Sequence, residues 1–141
     1  DVNDHFFKGR YQDIRDYEKY LSRNGFVIFK FFLHISKDEQ KKRFLRRINL
    51  PKKHWKFSSA DIRERQYWDK YQKAYEKAIN ATATKKNPWY VVPADDKWYS
   101  RLIVSDILTK EIEKLPLAYP VLSPDEAARL DTAKEELLNE K

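Results

Sequence analysis

The hydrophobic and polar positions of the chain follow two periods, one helical and one strand-like. A three- and four-residue spacing of apolar residues predicts a helix over about residues 9–24. The repeating positions are Tyr11, Ile14, Tyr17 and Leu21. Residues 26–33 are apolar except for Lys30, which is typical of a strand that is covered on both faces. Residues 89–93 predict a second, shorter strand.

Helix-start signals divide the rest of the chain. Capping-box patterns predict three helix starts, at Ser36–Glu39, Ser58–Asp61 and Ser123–Glu126. The first of these helices should end before Pro51, and the second should run to about Asn80. Its expected apolar stripe is Trp68, Tyr71, Tyr75 and Ile79. A further helix, capped by Asp95 or Asp96, is expected to bury Val104, Ile107, Leu108, Ile112 and Leu115.

The order of these elements predicts an α/β fold: helix, strand, basic helical hairpin, strand, helix. Two strands do not make a stable sheet alone, so the pattern favours part of a larger α/β domain with an open sheet edge. We expect residues 1–122 to belong to that domain and residues 123–141 to form a polar helical tail. The sequence has no methionine, from which we expect a fragment or a processed piece.

Composition narrows the choice of partners. The 141 residues carry a net charge of +7, which favours a polyanionic partner: nucleic acid, a nucleotide, polyphosphate or an anionic membrane. The absence of cysteine excludes a disulfide framework and a cysteine metal site. No apolar run reaches the roughly 18 residues of a membrane helix, so we expect no transmembrane helix. We expect no membrane partner, and the absence of cysteine fits a cytoplasmic location.

The positive charge is concentrated between residues 30 and 56. This segment has ten Lys or Arg residues against two acidic residues, Asp38 and Glu39. A solvated helix face would give a better balance of charges, so we interpret the segment as a polyanion-binding surface. Arginine forks match phosphate oxygens, and lysines act as mobile point charges.

The usual parts of a nucleotide phosphoryl-transfer site are absent from the sequence. A phosphate loop needs several glycines, and only Gly9 and Gly25 occur, outside any such motif. No strand ends in a clear magnesium-binding aspartate, and the three histidines have no metal-ligand spacing, so we predict no metal ligands. His34, between Leu33 and Ile35, is expected to be buried and hydrogen-bonded.

Other polar and aromatic residues could have either a structural role or a role in ligand binding or catalysis. Trp55 lies among lysines and could either stack on a base or pack against the protein, whereas Trp68 and Tyr71 are expected in the core. Three acidic residues fit capping and salt bridges better than general-base catalysis: Asp61, Glu64 and Asp69. The loop of residues 93–98 follows the second strand, where ligands bind in open α/β sheets, and a ligand role for it stays open.

Several residue strings resemble a known family when they are taken together. They are Asn24-Gly25, Lys30–Ser36 with Gln40 and Arg43, Lys53–Ser58, Asp61, Trp68-Asp69, Tyr71, Thr82 with Thr84, Pro88-Trp89, and Lys97–Tyr99 with Arg101. In this order and spacing the sequence resembles the type-2 polyphosphate kinase family over about residues 9–121. The resemblance does not extend to the tail from Ser123.

The resemblance implies a fold, a reaction and a site. The fold would be a three-layer P-loop kinase fold like thymidylate kinase, of which this chain is the C-terminal part, with parallel strands and a basic helical lid at about residues 37–79. The reaction would move phosphate between inorganic polyphosphate and nucleoside mono- or diphosphates such as AMP and ADP, with magnesium. Catalytic roles would fall to Arg46 and Arg47. Polyphosphate would be bound by Lys42, Arg43, Lys53, Lys56 and Arg65.

The family's phosphate loop and its Asp-Arg pair have no counterpart here, so we expect the chain alone to be inactive. Magnesium would be bound mainly by those missing N-terminal parts. We also expect a homo-oligomer or pairing with an N-terminal half. Two alternatives stay open: a basic nucleic-acid-binding module, which the charge and Trp55 favour, and an inactive fragment that acts as a scaffold. The sequence predicts neither the preferred nucleotide nor the direction of transfer.

Overall fold

Two parallel strands form the sheet of this protein. The computed structural model describes residues 3–140, except for the side chain of residue 4. Strand β1 (Lys30–His34) pairs in parallel with strand β2 (Trp89–Pro93). Lys30 lies opposite Trp89, and His34 lies opposite Pro93. The prediction of a mixed α/β fold with parallel strands is therefore confirmed.

Six α-helices surround and follow the strands in the described part of the chain. They are α1 (Asp4–Arg23), α2 (Lys37–Ile48), α3 (Ser59–Glu64), α4 (Trp68–Thr82), α5 (Lys97–Ile112) and α6 (Pro124–Leu138). Two 3-10 segments, Pro51–Lys56 and Arg65–Tyr67, lie within the connection from α2 to α4. None of the described helices is long and apolar enough to cross a membrane. By its contacts the chain divides into two compact units, one ending at Thr109 and the other beginning at Lys110.

Local sequence explains where α1 and α2 begin and end. The backbone N–H of Asn24 donates to the carbonyls of Leu21 and Tyr20 at the end of α1, and Gly25 follows with φ +85°. That left-handed conformation costs glycine little, so Gly25 can turn the chain toward β1. At the start of α2, the Ser36 hydroxyl accepts the N–H of Glu39 at 3.0 Å, which confirms the predicted helix start. The returning bond of a capping box is not formed, because the N–H of Ser36 donates to Asp95.

Three expectations about the elements were wrong. The strand predicted over residues 26–33 begins only at Lys30, because Phe26 and Val27 have no paired strand beside them and lie exposed. Ser58 makes no side-chain capping bond, and its neighbour Asp61 interacts with an arginine instead. The helix predicted from there to Asn80 is interrupted by the 3-10 segment Arg65–Tyr67.

The apolar core is small. Val92 and Ala94 are the buried apolar residues in the described chain, while Leu33 of β1 is exposed. The strand expected to be covered on both faces is therefore only partly covered. Of the residues predicted to be buried in the helix after β2, Val104, Ile107 and Leu108 of α5 are half-buried, whereas Ile112 is 45% exposed. Leu115 lies past the end of α5 and is half-buried. The physical reason is that one pair of strands with its neighbouring helices encloses little volume.

A buried polar cluster joins four elements at the amino ends of the strands. The Lys30 ammonium donates to the Glu18 carboxylate of α1 at 2.8 Å and to the carbonyl of Thr82 in α4 at 2.9 Å. It also lies 5.3 Å from the ring centroid of Trp89, whose indole N–H donates to the Thr82 hydroxyl at 2.9 Å. Each buried donor in this cluster has a partner, which is what makes its burial tolerable.

The second unit carries the tail helix. The Ser123 hydroxyl accepts the N–H of Glu126 at 3.2 Å, and the Glu126 carboxylate accepts the N–H of Ser123 at 3.1 Å. The predicted capping box is therefore confirmed. The hydrogen bonds from Ser123 also lower the pKa of Glu126. Before this helix, Tyr119 and Val121 are more than nine-tenths exposed.

Candidate polyanion-binding site

The carboxyl ends of β1 and β2 are joined by hydrogen bonds that fix the start of α2. The N–H of Ser36 donates to the Asp95 carboxylate at 2.7 Å, and the N–H of Ala94 donates to the carbonyl of His34 at 2.8 Å. The two loops that follow the strands therefore form one connected edge. Ligands bind at this edge in open α/β sheets.

Arg43 ties the second turn of α2 to the same edge. Its guanidinium donates to the carbonyl of Ala94 at 2.5 Å, to the carbonyl of Asp95 at 3.2 Å and to the Glu39 carboxylate at 2.8 Å. A guanidinium has five donors, so these bonds occupy Nε and both hydrogens of Nη2. For the phosphate-binding role predicted for Arg43, only the Nη1 group therefore has donors without a partner among these bonds.

The Asp95 carboxylate is stabilised in its charged form. Hydrogen bonds from the backbone and side chain of Ser36 lower its pKa, and desolvation opposes them. Positive charge from Arg43, and to a lesser degree His34, acts in the same direction. Asp95 is therefore engaged in holding the edge together, while the neighbouring Asp96 caps α5 by accepting the N–H of Tyr99 at 2.9 Å.

Two further arginines connect the parts of the basic segment. Arg47 donates to the carbonyl of Lys56 at 3.2 Å, and its Nη1 lies 3.7 Å from the Asp61 carboxylate. Arg65 donates to the carbonyl of Lys37 at 3.1 Å and to the side-chain oxygen of Gln40 at 2.5 Å. These bonds fasten the two 3-10 segments and α3 onto α2. The sequence identified both arginines but not this fastening role.

A second set of cations is clustered without acidic partners. The pKa of Lys53 is lowered, first by the charge of Arg46, then by partial desolvation and by the charges of Lys97, Lys52 and Lys56. The positive charges therefore lie close enough to repel one another. Within residues 3–140, no ion pair joins Arg46 or Lys53 to a carboxylate. Lys42 is exposed on α2, one turn before Arg46.

Lys97 is the member of this cluster that the sequence did not single out as a site residue. It lies more than 40 positions from Lys53 in the chain, at the first residue of α5. Its place directly after the strand edge was the available signal, since residues 93–98 follow the carboxyl end of β2, where ligands bind in open α/β sheets. In the structure that loop lies beside the basic segment. The spacing of residues along the sequence could not predict this proximity.

Trp55 lies at the exposed side of the 3-10 segment. Its side chain is 79% exposed, and the Lys56 ammonium lies 4.6 Å from its ring centroid. An exposed ring with a cation on its face can stack on a nucleobase or shield a lysine stem. Core packing of Trp55 is excluded by its exposure.

A cavity of about 360 Å³ lies beside β1, between α2 and the segment from α3 to α4. Its wall includes Phe32, His34, Tyr71 and Tyr75, and the Phe32 and Tyr75 rings lie 4.9 Å apart. His34 is exposed there at the end of β1, so the expectation of a buried histidine was wrong. Tyr71 is also exposed, so its predicted place in the core was wrong. Its hydroxyl donates to the Glu64 carboxylate at 2.6 Å, and that bond raises the pKa of Tyr71.

The described residues do not offer a metal site. Between residues 3 and 140, no group of three His, Asp or Glu side chains is placed to hold a metal ion. Asp95, at the strand edge where magnesium ligands are expected, already accepts the N–H of Ser36. Magnesium is usually held by one or two carboxylates together with phosphate oxygens, so the magnesium that the resemblance implies stays a prediction.

Comparison with known proteins agrees with the sequence resemblance. The profile of the family "Polyphosphate kinase 2 (PPK2)" matches residues 2–117. This chain belongs to that family. It is 51% identical over 133 residues to the ADP-polyphosphate phosphotransferase of Rhodopseudomonas palustris, which covers 94% of this chain and 46% of that protein. It is 50% identical over 111 residues to the AMP/ADP-polyphosphate phosphotransferase of Meiothermus ruber, covering 79% of this chain and 42% of that protein.

The chain spans less than half the length of these named relatives, but nearly all of another. It is 50% identical over 131 residues to an uncharacterized protein of Leptolyngbya boryana, covering 93% of this chain and 96% of that protein. The crystal structure of Polyphosphate Kinase 2 from Arthrobacter aurescens superposes with a TM-score of 0.85 at 42% identity, covering 95% of this chain and 47% of that one. That coverage includes part of α6, so the similarity extends past residue 121.

Proposed function

We propose that this chain is the C-terminal, lid-bearing part of a polyphosphate-dependent phosphotransferase. In the complete enzyme it would contribute the last strands of a three-layer P-loop kinase fold, with residues 1–122 in the kinase domain and residues 123–141 as its tail. The reaction would move phosphate between inorganic polyphosphate and nucleoside mono- or diphosphates. Family membership and the names of the relatives support this reaction class.

The observation that carries the proposal is the cluster of Arg46, Lys53 and Lys97. Like charges held close together raise the free energy of the empty site, and here the repulsion is strong enough to lower the pKa of Lys53. A bound polyanion would relieve that repulsion and gain several attractive interactions at once. Such an arrangement suits a ligand with a row of phosphate charges better than a neutral small molecule.

The two sets of cations suggest a division of labour in the lid, about residues 37–79. Arg43, Arg47 and Arg65 hold the lid segments and the strand edge together through backbone carbonyls. Any direct phosphate contact by these arginines would use their remaining donors. Arg46, Lys42, Lys53 and Lys56 would then face the polyphosphate.

In this division Arg46 is the strongest candidate for stabilising the charge that develops on the transferred phosphoryl group. Removal of such a preorganised group costs about two to three orders of magnitude in rate in other enzymes. A closed lid would also keep water away from the reacting phosphate. Arg47, the other predicted catalytic residue, would act beside it only after leaving Lys56 or Asp61.

The remaining parts of the reaction belong to the portion of the relatives that this chain does not span. A glycine-rich phosphate loop and the main magnesium ligands would come from there, and the chain alone would be inactive. Assembly with that portion or into a homo-oligomer, and a cytoplasmic location, complete the proposal. Magnesium would supply charge neutralisation of the phosphates once it is bound.

A nucleic-acid-binding module is the second candidate, and the exposure of Trp55 is the observation in its favour. Exposed aromatic rings among lysines stack on bases without sequence preference. This alternative predicts that single-stranded DNA binds as tightly as polyphosphate at equal charge. It also predicts that removing the Trp55 ring weakens DNA binding more than polyphosphate binding.

A salt-titrated binding assay distinguishes the two candidates. Fluorescently labelled long-chain polyphosphate is titrated with the full chain, and single-stranded DNA is added as competitor. We expect polyphosphate to be displaced only by a large excess of DNA, and we expect Arg46→Ala to weaken its binding several-fold. The matched control is Arg10→Ala on α1, which removes an exposed arginine that lies near Asp13 instead of in the cluster.

The outcomes separate cleanly. Equal competition by DNA at every salt concentration would indicate unspecific release of counterions and would reject the phosphotransferase role for this surface. Similar losses in Arg46→Ala and Arg10→Ala would show that net charge alone governs binding. Preferential polyphosphate binding would justify a nucleotide-forming assay in the presence of the phosphate-loop portion of a relative.

A further inference from the structure

Lys97 occupies a position that stability alone does not favour. It is the first residue of α5, where the positive end of the helix dipole disfavours a cation. No acidic residue follows it in the first turn of that helix. The two preceding carboxylates are directed elsewhere, because Asp95 accepts the N–H of Ser36 and Asp96 accepts the N–H of Tyr99.

The strand edge brings Lys97 to the lid. Arg43 of α2 binds the carbonyls of Ala94 and Asp95, two and three residues before Lys97. The next turn of α2 carries Arg46, and the charges of both Arg46 and Lys97 act on Lys53. Positive charge from α2 and from α5 therefore acts at one place, around Lys53 in the segment that follows α2.

We propose that Lys97 binds polyphosphate together with Arg46 and Lys53, so that one polyphosphate chain bridges the lid and the start of α5. This inference rests on the proposed function and adds a residue outside the lid to its binding site. The ligand class follows from the chemistry: several cations on two elements are best neutralised by consecutive linked phosphates. A single phosphate group satisfies only part of the cluster.

A bridging ligand has a mechanical consequence. Arg43 already fastens the base of α2 to the β2–α5 loop through backbone carbonyls. A polyphosphate chain held by Lys53 on one side and Lys97 on the other would add a second connection farther along the lid. Binding would then hold the lid in one position relative to the sheet. It would also neutralise the positive charges of the cluster.

The test compares four variants of the full chain against long-chain polyphosphate and against orthophosphate over a range of salt. They are Lys97→Ala, Lys97→Arg, Lys53→Ala and Lys85→Ala. Lys85→Ala is the matched control, because Lys85 is an exposed lysine in the loop before the amino end of β2. Thermal unfolding of each variant shows whether a change in affinity reflects a change in fold.

We expect Lys97→Ala to weaken polyphosphate binding about three- to tenfold and to reduce the slope of log affinity against log salt by about one, as loss of one phosphate contact does. Lys97→Arg should restore most of the affinity, and Lys85→Ala should change little. The orthophosphate affinity should respond much less than the polyphosphate affinity.

Three results would overturn the inference. If Lys53→Ala weakens binding and Lys97→Ala does not, Lys97 lies outside the site while the proposed function stands. If Lys97→Ala weakens binding no more than Lys85→Ala, its effect is one of net charge. If the unaltered chain binds DNA and polyphosphate equally, the proposed function fails and the assignment of Lys97 to a polyphosphate site fails with it.

Discussion

Positive charges near the two ends of β1 have opposite surroundings. At the amino end, the Lys30 ammonium is buried with the Glu18 carboxylate, and both residues are 8% exposed. Beyond the carboxyl end, Arg46, Lys53 and Lys97 are brought together without a carboxylate among them. The charge that holds the fold is enclosed and fully paired, whereas the charges that we propose for a ligand lie near others of their own sign.

The same contrast exists within the basic segment. Arg43, Arg47 and Arg65 donate to backbone carbonyls of other elements, which fixes their positions. Arg46 and Lys42 lie on the same helix as Arg43 and Arg47 but point to solvent. Adjacent arginines of one helix therefore have different surroundings, and residue type alone does not reveal which of them is bound to the protein.

Breaking the buried pair should produce the largest loss of stability. Glu18→Gln removes the negative charge but keeps the size of the side chain, so the Lys30 ammonium stays buried without its counter-charge. We expect a loss of about 3–5 kcal/mol in the free energy of unfolding, as for other broken buried pairs. Urea unfolding followed by circular dichroism measures this change.

Two further variants show whether the loss of stability in Glu18→Gln comes from the broken ion pair. Glu76→Gln alters an exposed glutamate of α4 and should stay within about 0.5 kcal/mol of the unaltered chain. The double variant Glu18→Leu with Lys30→Met replaces the pair by apolar groups and should recover much of the lost stability. If Glu18→Gln unfolds like Glu76→Gln, the pair does not contribute to the fold and the contrast between the two ends of β1 disappears.

Sequence periodicity predicted the parts of this fold that depend on local interactions. The caps at Ser36 and Ser123 were correct because a capping bond lies within three residues of its helix start. The extent of β1 was wrong because strand length depends on a distant partner, here the five residues Trp89–Pro93. In the sequence Lys30 is only an interruption of an apolar run, since its partner Glu18 lies on another element.

The candidate site was predicted unevenly for the same reason. The basic segment was evident from composition, and Arg46 and Lys53 lie in one cluster. The fastening contacts of Arg43 and Arg65 could not be predicted, because their acceptors are backbone carbonyls of Ala94 and Lys37. Lys97, which we propose as a further binding residue, was not singled out, because only the pairing of the strands brings its loop to the basic segment.

Arg43 and Arg46 provide the sharpest comparison between a fastening cation and a ligand-facing one. Arg43→Ala removes three hydrogen bonds, and we expect a loss of about 1.5–3 kcal/mol in unfolding free energy. Arg46→Ala should change stability by less than about 0.5 kcal/mol. Polyphosphate affinity, measured at a temperature where both variants are folded, should fall several-fold more in Arg46→Ala.

Both the stability and the polyphosphate affinity of these variants are needed to compare Arg43 with Arg46. Arg43→Lys serves as a further control, because a lysine keeps the charge but cannot bind the two carbonyls and Glu39 together. It should lose stability and retain most of the polyphosphate affinity. Equal losses of stability in the Arg43 and Arg46 variants would show that the two positions share one task, and the proposed division within the lid would be rejected.

The smallest expected effect concerns the strand edge and depends on pH. The pKa of Asp95 is lowered in the folded chain by the hydrogen bonds from Ser36. Its contribution to stability is therefore complete above the pKa of an unfolded aspartate, about 3.9, and is lost as the pH falls from there through the lower folded value. Asp95→Asn keeps the size of the side chain and its acceptor oxygen but removes this titration.

The measurement is the difference in urea midpoint between the unaltered chain and Asp95→Asn, followed from pH 7 downward. The difference should be constant near neutrality and should shrink below about pH 4, because protonation makes the aspartate resemble the amide. The matched control is Asp13→Asn in α1, which changes an exposed aspartate that lies near Arg10 and away from the strand edge. A difference that stays constant to the lowest pH would mean that the Ser36–Asp95 bond does not couple the two loops, and the rigid edge from which α2 and α5 begin would lose its support.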